Sequence, residues 1–364
     1  MLQVSLPARI NVVGSPTDAV EGAYATISAA VQMRGGAQIE CAADMEFHRS
    51  SGQRAVFPRG RIADPRGFTI EAAAVNALLR HSPEFAQRLE TGGVAIRTWT
   101  DIPTSSGLAG SSVLVLAVLA ALRAFYRLDP RRHNDYVLAE IAQRAEEEEM
   151  RVVCGFADRY VPLFGDVAYL SYHGKLWHAP LGEEPFVTYE RLGDRVPPLQ
   201  FCVATTGVRR DSGSVHAPMR ARYLEERRRG QGPLLDLARR LGETAWRGKI
   251  ALLASDLEGL GRQITRNQEL IDEMMRLCGF SAGAGAEVGV LLQAAHAAGA
   301  LGAKLTGAGG GGAIFALPPP NAAEQLAEAL RAATARAGLV GSEVFVVPVD
   351  RVGLQVTGDA SACR

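Results

Sequence analysis

The chain has 364 residues, 47% of them apolar and 21% charged, and its 39 lysines and arginines balance 39 aspartates and glutamates. That length is more than one hydrophobic core usually serves, so two domains are expected, and the composition is that of a folded protein rather than a disordered one. With no net basic field to gather phosphate backbones or anionic lipid, nucleic acid and membrane are excluded as expected partners.

Residues 3–13, 25–31, 37–41 and 94–99 are β-branched or alternating stretches that predict strands, with a helix over 68–81 between them. The alanine- and leucine-rich run 111–126 predicts a buried helix, and 131–150 a second one ending in four glutamates. Strands return at 167–172 and 199–205. The second half reads as helices at 218–229, 234–253, 257–277 and 287–298, each charged on one face and rich in leucine or alanine on the other. A glycine-rich turn, a strand at 313–317, a helix at 322–337 and a strand at 343–347 complete an α+β pattern. Charge and two prolines interrupt that pattern at 194–198, which sets the expected domains at 1–195 and 196–364.

Cys41, Cys154, Cys202, Cys278 and Cys363 are scattered, with no C-x-x-C pair, a pattern that predicts free thiols in a reducing compartment. The first residues lack the basic-then-apolar layout of a signal peptide, and the longest apolar run, 113–122, falls short of the ~20 residues a membrane helix needs. A cytoplasmic protein is expected.

Three glycine and serine segments carry the chemistry. Residues 7–18, PARINVVGSPTD, place Arg9 on a strand and follow it with a turn of Gly14, Ser15, Pro16 and Thr17 that closes on Asp18. Residues 103–113, PTSSGLAGSSV, run from a strand into a helix; exposed N–H groups at such a helix start favour a phosphate, although a tight turn has the same composition. In residues 304–317, KLTGAGGGGAIFAL, four consecutive glycines give up much chain entropy and predict close approach of backbone to a ligand or to another loop. None of the three fits a P-loop or a Rossmann fingerprint.

In their order and separation these segments resemble the three signature motifs of the GHMP kinases. The second motif of that family reads approximately P-x-x-x-G-L-x-S-S-A, and here Pro103, Gly107, Leu108, Gly110, Ser111 and Ser112 answer it, with Gly110 where a serine is usual. The resemblance implies an N-terminal domain with a left-handed βαβ crossover, a ferredoxin-like C-terminal domain, and ATP in the cleft between them. The ATP phosphates would lie over Pro103, Ser106, Gly107, Leu108, Ala109, Gly110, Ser111 and Ser112.

Phosphoryl transfer to an alcohol needs an acceptor for the hydroxyl proton and positive charge over the moving phosphoryl. Asp158, read as a loop residue between a helix and a strand, is by type either a turn residue or that proton acceptor. The resemblance makes it the catalytic aspartate of a G-x-x-D segment, with Arg9 facing it. It also implies Mg2+ on Ser111 and on Glu147, eleven residues before the aspartate, with Glu146 as the fallback. By residue type alone, Glu146 to Glu149 form a solvated helix face.

Asp18 aligns with the last residue of the sugar-gripping turn of galactokinases, but Ser15 and Pro16 replace its glutamate and histidine, which argues against galactose. Residues 210–224 carry Asp211, Ser212, Gly213, Val215 and His216 and are similar to a segment of plant-type glucuronokinases. That similarity implies D-glucuronate as acceptor, phosphorylated at its anomeric hydroxyl, with Asp18, Arg159, Arg210, Ser212 and Gly309 around it; Arg209 is a further cation for its carboxylate. The alternatives are a kinase for another sugar, a heptose phosphate, an inositol or a mevalonate-pathway alcohol, and a ligand-binding regulatory protein that retained the fold. A small sugar or sugar acid is the expected partner of a monomer or homodimer.

Overall fold

The computed structural model describes residues 1–20, 22, 24–175, 179–208, 213–307, 309 and 311–359. Strands β1 (Leu2–Val13), β2 (Ala25–Ala42), β3 (Met45–Arg49), β4 (Arg54–Phe57), β5 (Gly93–Thr100), β6 (Val167–Ser171) and β7 (Thr188–Arg191) form one sheet together with β12 (Gln355–Gly358). Its order is β12-β1-β2-β5-β3-β4, with β6 and β7 continuing from the other part of the long β2. Among the described residues of this sheet only β3 and β5 pair in parallel. Over this sheet lie α1 (Thr69–His81), α2 (Pro83–Thr91), α3 (Gly110–Phe125), α4 (Asp135–Arg144) and α5 (Ala157–Phe164). Helix α3 packs on β1, β2 and β5 and also touches α1, α4 and α5. Every residue from Val115 to Leu122 is solvent-free, which is why its sequence shows no polar face.

The second sheet has the order β11-β8-β10-β9, from β8 (Gln200–Thr205), β9 (Gly302–Thr306), β10 (Ala313–Leu317) and β11 (Val344–Pro348), and is antiparallel throughout. Helices α6 (Gly213–Arg229), α7 (Pro233–Leu253), α8 (Leu257–Leu277) and α9 (Ala286–Ala297) lie between β8 and β9, and α10 (Ala323–Arg336) between β10 and β11. Strand order and helix placement are those of a ferredoxin-like unit enlarged by extra helices. The second half also returns a strand to the first sheet, because β12 pairs with β1.

Several local expectations change. Residues 25–31 and 37–41 belong to one strand, β2, since Gly35 and Gly36 mark a close approach rather than a turn: a Cβ on Gly36 would meet the Val4 carbonyl and the Trp99 ring. The hairpin β3–β4 and helix α2 come from short stretches for which no element was expected. The expected helix 131–150 begins at Asp135, ends at Arg144 and passes into a π-helical turn, Ala145–Glu149. Cys41 is disulfide-bonded, overturning the expectation of five free thiols; Cys154, Cys202 and Cys278 are free, and Cys363 lies outside the described residues. Among the described residues no helix is long and apolar enough to cross a membrane.

Candidate active site

A cavity of about 400 Å³ is lined by the ends of β1 and β5, the start of α3, the π-helical turn, the segment before α5, the first turn of α6 and the glycine-rich link between β9 and β10. Arg9, Asp18, Pro103, Ser106, Gly107, Ala109, Gly110, Ser111, Asp158 and Gly309 all line it, so all three segments singled out in the sequence meet at one place.

One side of the cavity is built at the start of α3. Ala109 adopts a left-handed conformation (φ 65°) as the residue preceding the helix, and no side chain caps the first turn. The Ser106 hydroxyl is buried and has no hydrogen-bond partner among the described residues. Uncapped N–H groups at a helix start and a lone hydroxyl beside them fit phosphate oxygens. The glycine-rich segment holds this loop from the other side: a Cβ on Gly307 (φ 86°) would stand 2.6 Å from the Cα of Gly107 (φ 73°). Backbone approach to another loop therefore accounts for Gly307, just before the four consecutive glycines.

Arg9 Nε donates to Asp158 Oδ1 at 2.7 Å and its NH1 to the Gly107 carbonyl at 2.6 Å. One guanidinium thus joins the aspartate to the phosphate loop. Asp158 sits in the first turn of α5 rather than in a loop. That helix is two turns long and contains Pro162, which disguised it in the sequence. Asp18, in a 3-10 turn, accepts from the Ala157 N–H at 3.2 Å. Burial, followed by the neighbouring Asp158 charge, pushes its carboxyl up to about 6 against the pull of Arg9.

The acidic run divides among separate partners. Ser111 Oγ donates to Glu146 Oε1 at 3.0 Å, Ser112 Oγ donates to the same carboxylate, and buried Arg159 pairs with it. Glu147 turns away to Arg220 NH1 at 2.7 Å and to the Cys154 N–H at 3.3 Å. Glu148 and Glu149 pair with Arg80. Glu146, the fallback, is the carboxylate that meets Ser111, whereas Glu147, expected from its spacing to Asp158, is engaged by Arg220 and the Cys154 N–H. Arg159 is likewise corrected as an acceptor contact, since its guanidinium is buried against Glu146 and the Gly155 carbonyl. Leu108 is a core side chain whose carbonyl accepts from the Arg9 N–H, and Ser112 faces Glu146 rather than the cavity. Arg210 and Ser212 lie outside the described residues.

Sequence reasoning passed over Lys304 of β9. It is fully buried and donates to Asn11 O at 3.0 Å, Ser15 Oγ at 3.2 Å and Leu305 O at 2.9 Å, tying the glycine-rich segment to the turn that carries Asp18. A lysine inside an otherwise apolar strand was the available signal. A hard carboxylate and hydroxyl, Glu146 and Ser111, beside an uncapped helix start are a donor set that would suit magnesium, which takes few protein oxygens.

Sequence profiles described as GHMP kinases N terminal domain and GHMP kinases C terminal match residues 70–166 and 249–336. A mevalonate kinase of Pyrococcus furiosus is 27% identical over 82% of this chain and 77% of its own length. Glucuronokinase 1 of Arabidopsis thaliana is 29% identical over 68% of this chain and 63% of its own length, so the chain spans less than two thirds of that relative. A galactokinase of Lactococcus lactis complexed with galactose shares the fold, with a TM-score of 0.73 at 18% identity over 98% of this chain and 95% of the other.

Proposed function

The chain belongs to the GHMP kinase family, whose members use ATP as phosphate donor, and from that premise we propose that it phosphorylates the anomeric hydroxyl of D-glucuronate. The observation that carries the kinase chemistry is the Arg9 guanidinium bridging Asp158 and Gly107. In this reading the acceptor hydroxyl gives its proton to the Asp158 carboxylate as its oxygen bonds to the γ-phosphorus, and the bond from that phosphorus to the ADP oxygen breaks. Arg9 holds the Asp158 carboxylate in place and brings positive charge next to the Gly107 loop. Ser111 and Glu146 would hold Mg2+, which neutralises charge on the phosphate oxygens when bound.

Support for the uronate comes from the glucuronokinase-like segment and from relatives at this distance that include glucuronokinases alongside mevalonate, galactose and heptose-phosphate kinases. Its carboxylate calls for a cation. Among the described residues the only arginine lining the cavity is Arg9, already paired with Asp158, which leaves Arg209 and Arg210 in the sequence.

The test is an ADP-release screen over uronic acids, neutral sugars, sugar phosphates, inositols and mevalonate, run beside Asp158→Asn. Release with glucuronate that is lost in the variant is the expected result. Release with a different acceptor alone rejects the uronate. No release with any acceptor rejects the kinase reading.

A further inference from the structure

Helix α6 presents its first turn to the acceptor end of the cavity. Val215, Met219 and Tyr223 point into the second hydrophobic core. His216 and Arg220, four residues apart, share a different face. Arg220 is anchored three ways, from Nε to Ala19 O at 2.9 Å, from NH1 to Glu147 Oε1 at 2.7 Å and from NH2 to Cys154 O at 2.8 Å. Ala19 and Cys154 both line the cavity, so this clamp fixes the helix against its wall. One turn earlier, His216 faces the same space as Asp158 and Asp18.

There the imidazole has unmet bonding capacity. Its Nδ1 is buried and has no hydrogen-bond partner among the described residues. A buried polar atom left unpaired in a native cavity calls for a ligand, a water or a catalytic role. Burial, helped by Arg220, Arg9 and Arg159 against the opposing pull of Asp158, pushes the ring's pKa down to about 4, so it is uncharged at neutral pH. A neutral imidazole offers one N–H and one lone pair. In a cavity it shares with two carboxylates, that pair of functions suits a hydroxyl, which accepts from one nitrogen or donates to the other. A substrate carboxylate or phosphate would instead draw a cation.

We propose that His216 reads a second hydroxyl of the acceptor, the neighbour of the one that is phosphorylated, and so selects vicinal diols, the sugars and sugar acids, over isolated alcohols. The role rests on the kinase reading above. It places the specificity-determining group on α6, outside the three motifs, and makes it independent of how a substrate carboxylate is held.

The experiment measures kcat/KM for D-glucuronate, D-glucose and D-galactose against their 2-deoxy counterparts, in the wild-type protein, His216→Ala and His216→Asn. The wild-type protein is expected to favour the hydroxylated member of its productive pair by on the order of 10- to 100-fold, the usual worth of one hydrogen bond to a neutral group in a dry site. His216→Ala should erase that preference by slowing the hydroxylated sugar while leaving the deoxy sugar unchanged. His216→Asn, which keeps a donor and an acceptor near the Nδ1 position, should restore part of it. ATP affinity by calorimetry and the thermal midpoint should match the wild type in both variants, which separates recognition from misfolding. An active kinase whose deoxy discrimination is the same with and without the imidazole overturns the role of His216 alone. Activity confined to alcohols without a neighbouring hydroxyl also overturns it. Absence of any acceptor-dependent ADP release fails the kinase reading itself, and the proposal with it.

Discussion

Asp158 accepts from Arg9 Nε at 2.7 Å, and the same guanidinium reaches the Gly107 carbonyl in the phosphate loop. Two groups joined in this way act as a unit, so their losses should not multiply. Asp158→Asn is expected to lower kcat by roughly two to four powers of ten, the worth of a positioned general base. Adding Arg9→Ala should slow that variant only slightly further, since most of what the arginine contributes passes through the aspartate. Single-turnover ADP formation by the two single variants and the double variant checks this. Independent, multiplying losses would show that Arg9 acts on the phosphates alone.

The Ser111–Glu146 contact predicts which carboxylate governs magnesium. Glu146→Gln should raise the Mg2+ concentration needed for half-maximal rate and lower turnover. Glu147→Gln should leave the Mg2+ dependence unchanged, because Glu147 is engaged with Arg220. A Mg2+ titration of ADP release decides it, with thermal melts run alongside because Glu146→Gln also removes the partner of buried Arg159. A shift in the Glu147 variant and none in the Glu146 variant would reverse the assignment.

The difference between these glutamates shows where the sequence was readable. Motif residues that must meet at one point, Arg9, Asp18, Gly107, Ser111 and Asp158, do so, because each belongs to a segment whose glycines, serines or turn residues have a local reason to be there. The α+β character was legible from periodicity, and the fold from the motifs. Illegible were features set by non-local packing. Family spacing pointed one residue past the carboxylate that meets Ser111, α5 was hidden by Pro162, and Gly35 and Gly36 read as a break in a strand that continues through them. Arg159 looked available as a surface cation until tertiary structure buried it. His216 was legible only as one residue of the glucuronokinase-like segment, because its place in the cavity is set by what surrounds it.

A cluster outside the cavity predicts a stability effect. Lys175 Nζ lies 2.8 Å from Glu140 Oε1 and 2.7 Å from Glu184 Oε1; Glu184 also pairs with Arg144 at 2.6 Å, and all four side chains are buried. Lys175→Met should destabilise the protein by about 3–5 kcal/mol, because it leaves buried Glu140 without a cation and Glu184 with Arg144 alone, rather than merely deleting an attraction. Burial already raises the Glu140 carboxyl, and Lys175 opposes that rise. Without the lysine, Glu140 escapes by taking up a proton, so the deficit should shrink as pH falls. Glu140→Gln in the same background should recover part of the loss. Urea denaturation at pH 5 and 8 measures both effects, and a small, pH-independent loss would mean the cluster is already solvated.

Asp18 predicts the opposite kind of behaviour, a functional group that lowers stability. Its carboxyl is 3% exposed and titrates at about 6 rather than 3.8, chiefly because burial disfavours the charge and secondly because Asp158 lies near. The folded value lies above the unfolded one, so the native state binds this proton more tightly. The stability it confers is therefore complete below about pH 4 and is lost as pH rises through 6. A shift of this size corresponds to about 3 kcal/mol by pH 7. Asp18→Asn cannot ionise, yet its side-chain carbonyl can still accept from the Ala157 N–H. The variant should thus be more stable than the wild type at pH 7 and above, with the gap closing toward pH 4. Urea midpoints for both proteins across pH 4 to 8 test the crossover, and parallel curves would sink it. The same variant should bind the acceptor more weakly, read as a raised KM with ATP affinity unchanged, since the charge that destabilises the empty cavity is the one offered to substrate hydroxyls.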